Sequence, residues 1–121
     1  MPKIAQCHQT VLQSLESSKA ENIISIDLLQ RSSIADYMVI ASGRSQRHVS
    51  AIADHLIDDL KDVSIKNIRI EGLESCDWVL LDIGDIVVHL FRPEIRDFYN
   101  IEKIWQEHEN QAVLPSIKRV L

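Results

Sequence analysis

Residues 35–60 read ADYMVIASGRSQRHVSAIADHLIDDL, and two different periods meet inside them. Residues 35–42 form a near-continuous apolar run, too short for an average helix, which is the pattern of a central strand buried on both faces. From Val49 the spacing changes. Val49, Ile52, Ala53, Leu56, Ile57 and Leu60 fall at i, i+3, i+4, i+7, i+8 and i+11, the apolar stripe of a helix that lies on a sheet. Gly43 permits a sharp turn between the two, and Ser45 is placed to cap the helix. The helix's other face carries His48, Asp54, His55, Asp58, Lys61 and Asp62.

Upstream, Ile4, Cys7, Val11, Leu12 and Leu15 give the spacing of an amphipathic helix over 4–19, and the β-branched stretch 22–27 reads as a strand. Residues 31–33 read as a loop. Downstream, three short strands are predicted at 67–71, 77–82 and 85–91, the last two joined by Ile83-Gly84 as a two-residue hairpin turn with Gly84 at positive φ. Pro93 suits the first turn of a final helix, and Ile95, Phe98, Tyr99, Ile101, Ile104 and Trp105 continue the apolar pattern to the end of the core. The order αββαβββα predicts an α/β fold: a single domain with one mixed sheet of about five strands and flanking helices. The domain is expected to span 1–109. Past Gln106 the pattern fades and Pro115 breaks it, so 110–121 reads as a tail.

The 121 residues fit one domain able to bury roughly two-thirds of its unfolded surface, so the core needs neither disulfide nor metal. With three Gly and three Pro the composition excludes disordered and collagen-like chains. No apolar stretch approaches the ~18 residues of a membrane helix and no signal-peptide pattern follows Met1, so a cytoplasmic location is expected. Cys7 and Cys76 form no CxxC pair and cannot assemble a zinc site; Cys7 falls on the inner edge of its helical stripe as a packed, reduced thiol.

Charge is unevenly spread. Residues 51–85 hold nine acids and three bases, −6, against a net −5 for the whole chain. A domain that wraps nucleic acid shows a net basic face, so a free RNA-binding module is disfavoured and a basic protein partner is the better match.

Paired carboxylates at Asp82 and Asp85, with Asp77 at the start of the same strand, raise the alternative of a nucleotidyltransferase-like enzyme holding Mg²⁺. Its phosphate cradle would be Ser42-Gly43-Arg44-Ser45 at a helix N-terminus. Walker A, GxGxxG and nucleophile-elbow motifs are all absent. His48 and His55 lie two helical turns, about 10 Å, apart and cannot share a metal. His89 alternates with Val87 and Phe91, as a sheet-surface or core histidine. Arg44 with Arg47, and Arg92 with Arg96, begin helices and read as anion grips or solvated surface. Trp78 is more pointed. In DWVLLD, 77–82, alternation sets Trp78, Leu80 and Asp82 on one face and Val79 and Leu81 on the other. With helices on the Val79/Leu81 face, Trp78 and Leu80 lie on an open surface rimmed by Asp77, Asp82 and Glu71, the composition of a binding hot spot.

Asp27, SSIADYMVI at 32–40, SGRSQRHV at 42–49, Glu71-Gly72, DWVLLDIGDIVVHLF at 77–91 and the stretch 99–105 together resemble the ribosomal silencing factor (Iojap-related) family. The resemblance runs from the first helix to Trp105 and leaves the tail uncovered; the extension after Gln106 is longer than the family pattern. It implies a nucleotidyltransferase-like fold without surviving activity, and hence no catalytic residue, metal or cofactor. It also implies binding to the large ribosomal subunit through its fourteenth protein, steric exclusion of the small subunit under nutrient limitation, and a homodimer when free. Trp78 matches the tryptophan that the family places in the partner surface, with Asp77, Leu80, Asp82 and Glu71 beside it.

Overall fold

Alternation and helical periodicity together generate eight elements, seen in a computed structural model that describes residues 4–28 and 35–103. They run α1 Ile4–Ser17, β1 Glu21–Asp27, β2 Tyr37–Ser42, α2 Gln46–Asp62, β3 Arg69–Glu71, β4 Trp78–Asp82, β5 Ile86–Phe91 and α3 Pro93–Tyr99. The predicted order holds throughout. Ile104, Trp105 and the predicted tail 110–121, like the loop at 31–33, lie outside the described residues. No helix among the described residues is long and apolar enough to cross a membrane.

The five strands form one mixed sheet in the order β1-β2-β5-β4-β3. Only β2 and β5 pair in parallel, Met38 against Val87 and Ile40 against His89; β1 with β2, β4 with β5 and β3 with β4 are antiparallel. The two apolar runs therefore occupy the middle of the sheet, and every residue of β5 is buried. Helices α1 and α2 seal one face. Val11 and Leu15 of α1, and Val49, Ile52, Leu56 and Leu60 of α2, pack on Val39, Val79, Leu81, Val88 and Leu90.

The turn at Gly43 is present, and two other local expectations change. Gly43 has no positive φ; a side chain there would strike Val49, 2.8 Å from Cγ2 and 2.9 Å from the backbone N, so glycine lets α2 start hard against the strand end. The β4–β5 turn is centred one residue later than Ile83-Gly84. Asp82 opposes Val87 and Ile83 N–H donates to Ile86 C=O at 3.1 Å, leaving Gly84 (φ +94°) and Asp85 as the central pair, with glycine first as a type II′ turn requires. The last helix also stops early. Asn100 takes a left-handed φ of 47° and its N–H closes onto Arg96 C=O at 2.7 Å, ending α3 after seven residues.

Candidate partner-binding face

The face opposite α1 and α2 is assembled by strand register. Leu80 lies opposite His89 and Glu71, and His89 is level with Ile40, which faces Ile24; this row crosses the whole sheet. One row along, Trp78 opposes Phe91, which is level with Ser42. Trp78 and Leu80 are half-buried, packed on a second cluster that includes Met38, Ile40, Val87, Phe91 and Ile101. Val79 and Leu81, their alternates, are fully buried under α2, as the alternation predicted. Gly72, at φ +91°, belongs to this geometry: a β-carbon there would lie 2.0 Å from the Trp78 carbonyl oxygen, so only glycine lets the β3–β4 loop pass the start of β4.

Aromatic rings gather around Trp78. Its centroid is 4.8 Å from Phe91, 4.9 Å from Tyr99 and 5.7 Å from His89. The indole Nε1–H donates to His89 Nδ1 at 2.8 Å. His89 is wholly buried, and burial pushes its pKa down to about 3, so the ring is neutral. Beyond Trp78 the aromatic surface opens to solvent: Tyr99 is 46% and Phe98 80% exposed, meeting edge to face at 5.1 Å. Phe98 was expected in the core. A two-turn helix capped by Asn100 turns it outward, while Ile95 and Ile101 take the inward positions.

The charged rim carries both signs. Asp77 accepts hydrogen bonds from Arg92 Nε at 2.7 Å and from Gln46 Nε2 at 3.1 Å, and these two donors hold its carboxyl below the usual carboxylate range. The pair ties the start of β4 to the starts of α3 and α2. Asp82 Oδ1 accepts the Gly84 N–H at 2.8 Å, and Arg69 stands opposite Asp82 across the β3–β4 ladder. Glu71 is exposed. Asp54, Asp58 and Asp62 point to solvent from α2, on the other side of the molecule, so the central acidic window is divided between two surfaces.

Arg96 is not solvated surface. It is 7% exposed, its guanidinium grips Glu102 through Nε at 2.6 Å and Nη2 at 3.0 Å, and Nη1 donates to Ser42 Oγ at 2.8 Å. It fastens α3 to the end of β2. Arg44 lies 3.9 Å from Glu21 and Arg47 is exposed.

In the Ser42–Ser45 turn the Gly43 N–H donates to the Phe91 carbonyl at 2.9 Å. Ser45 Oγ accepts the His48 N–H at 3.1 Å, and His48 Nδ1 accepts the Arg44 N–H at 2.9 Å while Nε2 donates to the Ser18 carbonyl at 2.9 Å. His55 instead bonds Ser18 Oγ and lies 3.6 Å from Asp59. Asp85 is exposed, and its backbone carbonyl receives the N–H groups of Asp36 and Tyr37. Among the described residues no three His, Cys, Asp or Glu side chains converge as a metal site. Cys7 packs against the helix-side core, where burial and the nearby Asp85 carboxylate push its thiol pKa up.

The sequence reading missed His89 as the partner of Trp78, Gly72 as the spacer beside it, and the exposed Phe98 and Tyr99. The hairpin itself held the first signal, since pairing about Gly84 sets Trp78 and His89 on one face of adjacent strands.

A family model described as "Ribosomal silencing factor during starvation" matches residues 2–120. A Zymomonas mobilis protein named ribosomal silencing factor RsfS is 56% identical over 88% of this chain and 82% of its own. A mouse protein named mitochondrial assembly of ribosomal large subunit protein 1 is 35% identical over 75% of this chain and 41% of its own. The crystal structure of a Chromobacterium violaceum protein superposes with a TM-score of 0.84 at 35% identity, covering 94% of this chain and 91% of that one.

Proposed function

The chain belongs to the ribosomal silencing factor family, and from that premise we propose that it binds the large ribosomal subunit through that subunit's fourteenth protein and blocks joining of the small subunit, repressing translation under nutrient limitation. The observation that carries this reading is the open aromatic face, where half-buried Trp78 continues into exposed Tyr99 and Phe98. A contiguous apolar surface with a fixed tryptophan at its centre and paired charges at its rim has the make-up of a protein-binding hot spot. Trp78 and Leu80 are the proposed anchors, with Asp77, Asp82 and Glu71 at the edge.

The proposed action is non-catalytic and needs no cofactor. Bound by its sheet face, the domain presents the α1/α2 layer outward, and a sheet plus one helical layer stands about 20 Å high. That bulk holds a second ribosomal subunit out of contact distance. In this reading the chain works in the cytoplasm and pairs with a second copy when free.

Sedimentation of purified small and large subunits with and without the protein tests the proposal. The expected result is co-migration with the large subunit and a smaller joined-ribosome peak. Protein left at the top of the gradient, with the joined peak intact, would overturn it.

A further inference from the structure

We propose that His89 is a positioning residue: its Nδ1 fixes the Trp78 indole in the orientation that the sheet face presents to the ribosomal partner. The inference rests on the binding reading above and adds the residue that sets its anchor.

His89 sits in the central strand β5, wholly buried, between Ile40 and Leu80 on the neighbouring inner strands, in a row that ends on Ile24 and Glu71 at the sheet edges. An indole N–H can only donate, so Nδ1 must be the acceptor of the 2.8 Å bond from Trp78. The single proton of the neutral ring then resides on Nε2. Nε2 is buried and has no hydrogen-bond partner among the described residues. A buried donor left unpaired costs stability, so a position valued for packing alone would be better filled by Phe or Leu. What imidazole supplies here, and those side chains cannot, is an acceptor aimed at Trp78.

That acceptor has a physical use. Trp78 is only half-buried and packs against Phe91 and Tyr99 with ring planes tilted by 31° and 47°, apolar contacts that do not specify where its one polar atom points. The bond to a fully buried ring removes the choice of turning Nε1 toward water. It also uses up the only polar group of the indole, so a partner meets carbon alone. An anchor already held in its bound orientation loses less freedom on association.

The test compares His89→Phe, which keeps a planar ring and removes the acceptor, with His89→Asn, whose Oδ1 can stand near the place of Nδ1. Both are measured for cooperative unfolding, for co-sedimentation affinity with large subunits, and for hydrogen exchange of the Trp78 indole N–H by NMR, its signal assigned with Trp78→Phe. The expected result is a folded His89→Phe protein with a rapidly exchanging indole proton and affinity weakened about tenfold, while His89→Asn retains protection and stays within about threefold of wild type. Wild-type affinity in folded His89→Phe would overturn the proposal. So would equal losses in both variants that track their stability, because packing alone would then explain them. Failure of the wild-type protein to bind would overturn the ribosomal reading itself; indole protection lost in His89→Phe and kept in His89→Asn would still support the positioning role, and unchanged protection would overturn it.

Discussion

The two faces of the sheet are built from the same strands and have opposite characters. Under α1 and α2, Val39, Val79, Leu81, Val88 and Leu90 meet a helical layer with no solvent exposure and no buried charge. On the α3 side the cluster is smaller. Of the four buried polar residues among those described, Ser42, His89 and Arg96 serve that side, and only Ser14, on α1, lies elsewhere. Its aromatic edge opens to solvent. On the proposed binding reading, stability and recognition divide by strand parity: in β4, Val79 and Leu81 point to the sealed face and Trp78 and Leu80 to the open one. Neighbouring substitutions should therefore move different observables.

The sharpest way to break that division is at Leu81, which is fully buried beneath α2. Leu81→Ala removes three carbons from a close-packed site and should lower unfolding free energy by about 3 kcal/mol, read from the urea midpoint. The folded fraction should bind large subunits as wild type does. A loss of affinity beyond the loss of folded protein would show the two faces to be coupled.

Acid should act next, through the displayed side. The folded pKa of His89 is depressed to about 3 by burial, below its ordinary 6.5. The unfolded chain therefore binds the extra proton first as pH falls. Stability is fully present above pH 6.5 and is lost progressively down toward pH 3, by about 1.4 kcal/mol per unit, or about 2 kcal/mol at pH 5. His8, whose pKa is also lowered by burial, pulls the same way, and Asp77 joins below the ordinary carboxylate pKa. In urea titrations His89→Phe should flatten the slope between pH 6.5 and 5. An unchanged slope would place the acid sensitivity elsewhere.

Trp78→Ala is the reciprocal of the Leu81 experiment. It should cost about 2 kcal/mol or more of binding, as truncating a central interface aromatic does. A folded variant that co-sediments with large subunits at wild-type affinity would sink the placement of the site on this face.

Much of this division was legible in the sequence. The β-branched runs, the α2 stripe and the 77–82 alternation predict the element order and the face to which each residue of β4 belongs, because both depend only on local period. What escaped depends on residues far apart in the chain or on where a helix stops. Arg96 reads as an anion grip or as solvated surface until Ser42, the end of β2, supplies a further acceptor for it, and nothing in the 92–96 stretch signals that pairing. Phe98 fits an apolar pattern that ends too soon, because Asn100 breaks the helix and resets its phase. The Trp78–His89 bond lies between these cases. Hairpin pairing brings the two side chains to one face even when the turn is placed a residue early, because the register then slips by two and parity is kept. Which ring nitrogen faces the indole, and whether the imidazole is buried, both require the packed face.

The smallest expected effect on stability is at Phe98. At 80% exposure in the last turn of α3, the ring has little burial to lose, and Phe and Ser differ little in helix propensity. Phe98→Ser should change unfolding free energy by no more than about 0.5 kcal/mol, the usual range for an exposed site. Its edge-to-face contact with Tyr99 is itself partly solvated, which keeps that contribution small. Large-subunit affinity should nonetheless fall, by about threefold or more, because an aromatic left open beside the Trp78 anchor contributes only when a partner covers it. A loss of stability above about 1 kcal/mol would mean that the ring packs within the domain, and unchanged affinity would confine the proposed contact to Trp78 and the β4 side of the face. Either result would redraw the boundary between the part of this surface that holds the fold and the part that displays it.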